Sequence, residues 1–319
     1  MKSNRLVVAV AQMKFRAAIG DNVSWITGVI HSSARAGADA VLFPECAVTG
    51  YNCDFARILR SEIDVALQTI ASEARAARCY VLVGSPTFSG RKRHNSLVVF
   101  DSHGRKVFCY SKIHLTARDR RFFTPGNTLA FFSVAGVPCT AVICHERRYP
   151  ELVRLPVMLG AQIVFHSNAG LDELAVSKSK RHGRDGIAVR AFENEVYYVF
   201  ANSVGPQGDG LWSAGDAKIA APDSRVLALA NNRDEMVIQA ELDLSLARRG
   251  YARDALQRPA FLRRHWREML AACRRQLSQT SGNCSGSGAG VSPARGASGA
   301  DNAGETPGPA GETPAPLSE

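Results

Sequence analysis

The sequence lacks the long hydrophobic runs of a membrane protein and the cysteine pairs of a disulfide scaffold. No apolar stretch reaches ten residues, about half of what a membrane-spanning helix needs. The first segment, MKSNRLVVAVAQMKF, returns at once to Lys and Arg, so it predicts neither an anchor nor a cleavable signal. The 8 cysteines are scattered without a C-x-x-C pair, which favours free thiols and a cytoplasmic location.

Motifs of several common chemistries are also missing. The chain has no zinc-ligand spacing, no phosphate-binding loop and no G-x-S-x-G elbow. These absences argue against a structural zinc site, a P-loop nucleotide enzyme and a serine hydrolase of the elbow type.

Positive charge is abundant but is not gathered into a nucleic-acid-binding motif. The net charge is +10, and because residues 278–319 carry −3, the preceding residues carry +13. Their Arg pairs are dispersed and lack the interleaved aromatic residues of an RNA-binding sheet. We therefore expect no nucleic-acid or membrane partner, whereas attraction of a small anionic substrate suits the same charge.

Composition divides the chain at residue 278. Residues 278–319 are rich in Gly, Ser, Ala, Pro and Thr, which predicts a disordered low-complexity tail. In residues 1–277 strands outnumber helices about two to one, which favours two sheets with helices outside. The predicted strands are 6–11, 40–44, 80–85, 96–100, 106–111, 140–144, 163–167, 196–202, 217–221, 226–230 and 236–242, and the predicted helices are 22–36, 55–77, 150–159, 185–195 and 259–277.

Three predicted strands end in a reactive side chain, namely Glu45, Lys112 and Cys144. Strand ends hold such groups rigidly while their tips face a cleft. Cys144 could attack a carbonyl or nitrile carbon, Glu45 could move the proton, and Lys112 could stabilise the thiolate and the oxyanion together with the backbone N–H of His145. The ordinary alternatives are a buried thiol that only packs and charges that merely cap strand ends.

The segments around these residues resemble the motifs of the nitrilase, or carbon-nitrogen hydrolase, superfamily. VLFPECAVTGY resembles its glutamate motif, YSKIHL its lysine motif and AVICHERRYPE its cysteine motif, with further similarity from AVAQMKF to LDLSLARR. The resemblance implies a carbon-nitrogen hydrolase domain over residues 1–277, folded as an α-β-β-α sandwich of two mixed sheets with helices on the outer faces. It also implies a homodimer or a higher homo-oligomer, no metal and no organic cofactor.

Two further features bear on substrate binding. Family members often have a second glutamate after the lysine, and the nearest acidic residue here is Asp119, which could orient Lys112 or the substrate, or could cap a helical turn. The pair Arg147 and Arg148 is similar to that of N-carbamoyl-amino-acid amidohydrolases, where it helps to hold a carboxylate. However, the long insertion of those enzymes is missing, and Arg147 could instead lie at the surface or pair with Glu146.

The remaining candidates are assigned from their neighbours. Asn168 in HSNAGL is a candidate pocket residue, with an ordinary turn as the alternative. His114 and His166 are interpreted as packing or hydrogen-bonding residues, because Glu45 already provides a base, and Phe192 and Tyr198 are expected in the core.

The short segment after KIHL resembles amidase branches more than true nitrilases. We expect a cofactor-free enzyme that acts on a small amide or N-carbamoyl compound. A nitrilase and a catalytically silent binding protein are the alternatives.

Overall fold

A computed structural model describes residues 4–179 and 186–283 of the chain. Its strands are β1 (Arg5–Gln12), β2 (Ala40–Leu42), β3 (Tyr80–Ser89), β4 (Lys92–Phe100), β5 (Lys106–Ser111), β6 (Phe132–Val134), β7 (Val137–Ile143), β8 (Ile163–Ser167), β9 (Asp172–Glu173), β10 (Tyr197–Ala201), β11 (Val204–Gly208), β12 (Leu211–Ala214), β13 (Lys218–Ala220), β14 (Val226–Leu229) and β15 (Met236–Asp243). Its helices are α1 (Ile19–Arg35), α2 (Arg60–Ala77), α3 (Glu151–Leu159), α4 (Leu174–Ser179), α5 (Ile187–Asn194), α6 (Gly250–Ala255) and α7 (Ala260–Asn283).

Two mixed sheets of six strands form the centre of the fold. The first has the order β15-β1-β2-β3-β4-β5 and the second the order β14-β13-β10-β8-β7-β6, while β11, β12 and β9 form a small third sheet. In the first large sheet β1, β2 and β3 run parallel, and in the second β7, β8 and β10 run parallel. Their near-continuous apolar sequences, such as LVVAVA in β1, are typical of strands that are buried on both faces.

Side chains alternate between the two faces of each strand. They form three hydrophobic cores that separate four layers, which are helices, sheet, sheet and helices. In β1, Val8 and Val10 join the core between the two sheets, whereas Ala9 and Ala11 pack toward α1 and α2. In the second sheet, Phe165 faces the central core, and its neighbours along the strands face α3, α5 and α7. The predicted α-β-β-α sandwich is confirmed.

Every predicted strand is present, and the differences lie in weakly apolar segments. Strands β6, β9, β11 and β12 were not predicted, because they are short or, as in VGPQG, contain Gly and Pro. The predicted helix 55–77 is divided into a 3₁₀ turn, Phe55–Arg57, and α2. Neither α4 nor α6 was predicted, since six residues carry little periodic signal.

The last helix is longer than predicted. Helix α7 continues to Asn283, beyond the predicted end at residue 277, and residues 284–319 of the expected tail lie outside the described residues.

Tyr198 is fully buried as expected, but the core placement of Phe192 was wrong. Phe192 is 55% exposed, because α5 is amphipathic and turns Ile187 and Ala191 toward the sheet instead. Within the described ranges, no helix has the length and apolar character needed to cross a bilayer.

Candidate active site

A cavity of about 230 Å³ opens at the carboxyl ends of β7, β8 and β10. Ligand sites in open α/β sheets favour this edge, because loops from parallel strands converge there. Four of the predicted substrate-binding residues line the cavity with Cys144, and they are His145, Arg147, Arg148 and Asn168.

Cys144 begins the 3₁₀ turn Cys144–Arg148 with a left-handed backbone, φ 56°. This conformation costs a non-glycine residue about 1–2 kcal/mol, so the surrounding structure must hold it. The carbonyl of Cys144 accepts a hydrogen bond from His166 Nε2 at 2.9 Å, and His166 Nδ1 pairs with the Tyr198 hydroxyl at 3.2 Å. Burial, helped by the charge of Arg147, keeps the pKa of His166 well below its usual value. His166 is therefore a neutral support for the cysteine turn, as expected of a hydrogen-bonding residue.

A buried carboxylate ties the cysteine turn to the segment that follows Lys112. Glu146 is fully buried. Burial raises its pKa to about 7 against the opposing effect of backbone hydrogen bonds. It accepts hydrogen bonds from the backbone N–H groups of Ile143 and Ile113 at 2.7 Å, of His114 at 3.2 Å, and from the Tyr110 hydroxyl at 3.0 Å. The carboxylate thus faces inward, toward donors of the cysteine turn and of the segment after Lys112.

Lys112 lies between two buried carboxylates. Its Nζ is 2.7 Å from Glu45 Oε1 and 2.7 Å from Asp119 Oδ2, and all three side chains are 0% exposed. This contact fits the expectation that Asp119 orients Lys112. A direct substrate contact of Asp119 stays a prediction.

Charge and burial act in opposite directions within this cluster. Burial would lower the pKa of Lys112, but the neighbouring Glu45, Cys144 and Asp119 hold it well above its ordinary value. Burial raises the pKa of Glu45, and Lys112 offsets only part of that rise. Burial also acts to raise the pKa of Asp119, yet Lys112 and hydrogen bonds from Tyr51 and other donors keep it below its ordinary value. The ammonium therefore stays protonated next to an ionised Asp119.

The Cys144 thiol is uncharged at neutral pH. Burial, followed by the negative charge of Glu45, raises its pKa to about 12, and Lys112 acts in the opposite direction. Because these charges act on the sulfur, the thiol lies in the electrostatic environment of both Glu45 and Lys112. A protonated thiol needs a base before it can attack, and Glu45 is the carboxylate with the largest influence on it.

Two glycines allow the backbone to carry Glu45 and Lys112 at these positions. A Cβ on Gly84 would lie 2.2 Å from the carbonyl oxygen of Pro44 and 2.7 Å from the Cα of Glu45. A Cβ on Gly126 would lie 2.1 Å from the carbonyl oxygen of Ser111. Main chains therefore touch directly behind both residues.

Several contributors were not predicted from the sequence. Asn95 Nδ2 donates to Glu45 Oε1 at 2.7 Å, and the Tyr51 hydroxyl donates to Asp119 Oδ1 at 2.7 Å. A polar residue directly before the buried run SLVVF is the signal that could have identified Asn95. Asp172 and Asp216 also line the cavity and carry the opposite charge to that of the arginines. No sequence motif indicated these two residues.

Two further histidines, His114 and His145, lie near the site. His114 stacks on Tyr149, with ring centroids 3.6 Å apart and an interplanar angle of 3°. His145 lines the cavity, and burial together with the charge of Lys112 lowers its pKa to about 4, so its ring is neutral. Within the described ranges, no cluster of three His, Cys, Asp or Glu side chains could hold a metal ion.

Comparison with known proteins identifies the family of the chain. Residues 7–251 match the carbon-nitrogen hydrolase family model. A nitrilase of Pyrococcus abyssi is 32% identical over 238 residues, 71% of this chain and 85% of the relative. An (R)-stereoselective amidase of a Pseudomonas species is 30% identical over 239 residues, 73% of this chain and 85% of the relative.

Solved structures of an amidase from a Nesterenkonia species superpose on the fold. One is 25% identical with a TM-score of 0.70 and covers 82% of this chain and 96% of its own. Another, at 25% identity and a TM-score of 0.69, covers 82% of this chain and 99% of its own and shows acrylamide added at the active site cysteine. The chain with its Glu45, Lys112 and Cys144 motifs thus belongs to the carbon-nitrogen hydrolase family, as an amidohydrolase of the nitrilase superfamily.

Proposed function

We propose that this enzyme hydrolyses a non-peptide C–N bond of a small linear amide or N-carbamoyl compound, with release of ammonia and without a metal or organic cofactor. Cys144 is the nucleophile, Glu45 the proton carrier and Lys112 the fixed positive charge. The observation that carries this proposal is the buried ammonium of Lys112, held at 2.7 Å from both Glu45 and Asp119 in the electrostatic environment of a thiol that lines a cavity.

In the first half-reaction Glu45 takes the thiol proton as the sulfur of Cys144 attacks the carbonyl carbon. Negative charge moves from the carboxylate to sulfur and then to the carbonyl oxygen, so no net charge is created in a buried site. Lys112 stabilises each of these positions, and the backbone N–H of His145 is the second donor to the oxyanion. Glu45 then gives its proton to the leaving nitrogen, the C–N bond breaks, and a thioester and ammonia remain.

In the second half-reaction water attacks the thioester. Glu45 accepts a proton from the water as the new C–O bond forms, and the C–S bond then breaks. The sulfur recovers the proton from Glu45, and the carboxylic or carbamic acid leaves. The enzyme thereby returns to an ionised Glu45 and a neutral thiol.

Lys112 does not serve as the base in this scheme. Its pKa is held well above the ordinary value, mainly by Glu45 against the opposing effect of burial, so a free amine is scarce at neutral pH. Glu45 has the opposite tendency, because burial raises its pKa toward the range in which a carboxylate exchanges protons efficiently.

An amide or carbamoyl group is favoured over a nitrile by the cavity wall. Asn168 Oδ1 is buried and makes no hydrogen bond with the described residues. The orientation of its amide is fixed, because Asn202 Nδ2 donates to the Gly215 carbonyl and Asn202 Oδ1 accepts from Asn168 Nδ2, each at 2.7 Å. Asn168 therefore offers an acceptor that a substrate N–H can satisfy and that a nitrile cannot.

The same wall supports a substrate with a carboxylate at the other end. Arg147 and Arg148 both line the cavity, and a guanidinium can bind a carboxylate through two hydrogen bonds. We propose that this pair holds the carboxylate of an anionic amide or ureido acid, while neutral amides are turned over with weaker binding.

A groove away from the cavity supports assembly into a homodimer. Phe192, Leu246 and Tyr251 line it and are 55%, 42% and 57% exposed. Large apolar side chains grouped on a surface are typical of subunit interfaces. Sedimentation of the protein is expected to give a dimer or a multiple of it, and Phe192→Arg is expected to shift the population toward monomer.

The deciding experiment is release of ammonia and carbon dioxide from a panel of small amides, ureido acids and nitriles. Ammonia is expected from amides and ureido acids, carbon dioxide only from ureido acids, and neither from the Cys144→Ala variant. Equal activity of that variant would reject the mechanism. Activity confined to nitriles would favour the nitrilase alternative, which the name of the Pyrococcus relative also represents.

A catalytically silent protein is distinguished by the reactivity of its thiols. If the site is active, iodoacetamide is expected to modify Cys144 faster than the partly exposed Cys53 and Cys109. Uniform modification of the three would favour the binding-protein alternative. Product analysis in the presence of hydroxylamine separates hydrolysis from acyl transfer to another acceptor.

A further inference from the structure

The two oxygens of the Glu45 carboxylate have different surroundings. Oε1 accepts hydrogen bonds from Lys112 Nζ and from Asn95 Nδ2, each at 2.7 Å. Oε2 is buried and has no hydrogen-bond partner among the described residues. Burying a carboxylate oxygen without a hydrogen-bond donor costs free energy. Such a cost is expected where the oxygen exchanges a proton with a reacting group.

Asn95 is held in a single orientation. It is 1% exposed on β4, and its Oδ1 accepts a weak hydrogen bond from the Cys46 thiol at 3.6 Å. Its Nδ2 faces the two carboxylates, at 2.7 Å from Glu45 Oε1 and 3.5 Å from Asp119 Oδ1. Reversing the amide would place an acceptor against both of them.

We propose that Asn95 is a positioning residue that makes Oε2 of Glu45 the single oxygen for proton transfer, by occupying Oε1 together with Lys112. The inference rests on the proposed function, in which Glu45 carries the proton. An oxygen that accepts from an ammonium and an amide is a weak base, whereas its partner keeps its lone pairs available. Rotation of the carboxylate would break both hydrogen bonds, so the basic oxygen stays fixed.

The proton path follows from this division. The S–H bond of Cys144 breaks as an O–H bond forms at Oε2, and the same O–H bond later breaks as the proton passes to the leaving nitrogen. Asn95 neither gains nor loses a proton, and its hydrogen bond to Oε1 persists throughout. Its effect is therefore on the geometry and the basicity of Glu45.

Loss of the Asn95 hydrogen bond is expected to raise the pKa of Glu45 further. Burial raises the pKa of Glu45, and donation by Asn95 acts in the opposite direction. Without Asn95 the folded enzyme binds the Glu45 proton more tightly, so a higher pH is needed to produce the base. The acid limb of the rate profile is expected to move upward.

The test compares the pH profile of kcat/KM in Asn95→Ala, in the size-matched Asn95→Asp and in Ser96→Ala. Ser96 is the buried neighbour on the same strand, and its hydroxyl bonds to Thr87 and Ser111, so its variant is the matched control. Both Asn95 variants are expected to shift the acid limb upward by about one pH unit and to lower kcat at least tenfold with little change in KM. Ser96→Ala is expected to keep the limb of the unaltered protein.

A second readout is the rate at which iodoacetamide modifies Cys144. It should fall in the Asn95 variants, but Asn95→Ala added to Glu45→Gln should change it less than twofold, because Asn95 acts through Glu45. An equal loss in both backgrounds, an unmoved acid limb in a folded Asn95 variant, or failure of both Asn95 variants to fold would each overturn the inference. Retained activity in Cys144→Ala would instead reject the proposed function itself.

Discussion

The interior of the site and its cavity wall differ in how tightly they are constrained. In the interior cluster, formed by Glu45, Asn95, Lys112 and Asp119, all four residues are at most 1% exposed and are joined by hydrogen bonds. The cavity wall, formed by Arg147, Arg148, Asn168, Asp172 and Asp216, mixes buried and exposed residues and carries both signs of charge. We propose on this basis that the interior determines the reaction and the wall the choice of substrate.

The largest effect is expected from Lys112→Met, which tests the interior side of this division. Met is one heavy atom shorter than Lys and similar in shape, so the change leaves two carboxylates buried without their ammonium. We expect kcat/KM to fall at least about a thousandfold for every substrate and the free energy of unfolding to fall by about 3–5 kcal/mol. Ammonia release and urea denaturation measure the two losses. A loss for anionic substrates alone would contradict the division.

Glu146→Gln should have the next largest effect, chiefly on stability. The amide nitrogen of Gln would face backbone N–H groups that now donate to Glu146, so at least one buried donor would lose its acceptor. We expect the free energy of unfolding to fall by about 2–3 kcal/mol, measured by urea denaturation. The cysteine turn should loosen as well, with kcat lowered and KM little changed, and unaltered stability would show that this carboxylate is not structural.

Asp119→Asn should lower kcat about tenfold and shift the pH profile. Asp119 raises the pKa of Glu45 through its negative charge, so neutralising it lowers that pKa. The acid limb of kcat/KM is then expected to move to lower pH, opposite to the shift expected for the Asn95 variants. A pH–rate series on one neutral amide measures the direction, and an upward shift would contradict the charge assignment.

The smallest effect is expected from Arg147→Ala, which tests the cavity wall. KM for a ureido acid or an anionic amide should rise about tenfold, equivalent to about 1.4 kcal/mol of binding, with kcat little changed. A neutral amide of similar size is the control and should be affected less than twofold. Loss of turnover for the neutral amide would place Arg147 in the reaction and weaken the division between the two regions.

The sequence predicted the interior better than the wall because different forces position them. Glu45 and Lys112 follow β2 and β5 of the first large sheet, and Cys144 follows β7 of the second. A local strand pattern therefore indicates each of them separately. Asn95 could not be placed beside Glu45, because that contact depends on how β4 packs against the loop after β2. The contacts of Glu146 were not predicted for the same reason, since its partners Ile113 and His114 are distant in the sequence.

The wall depends on segments with little periodic signal. Asp172 lies in β9, a strand of only two residues, and Asp216 follows β12, which was not predicted. Asp216 also has a positive φ of 59°, which a pattern of side chains does not indicate. Contacts of this kind are set by tertiary packing rather than by local propensity.

The close approach of main chains at Gly84 and Gly126 has a consequence for altering this enzyme. Main-chain atoms rather than side chains support Glu45 and Lys112 at these two points. Substitution of neighbouring side chains therefore cannot shift the two groups to suit a larger or differently shaped compound. Laboratory evolution toward new substrates should therefore accumulate its beneficial changes in the loops after β8, β10 and β12, and alanine at position 84 should be rejected in every such selection.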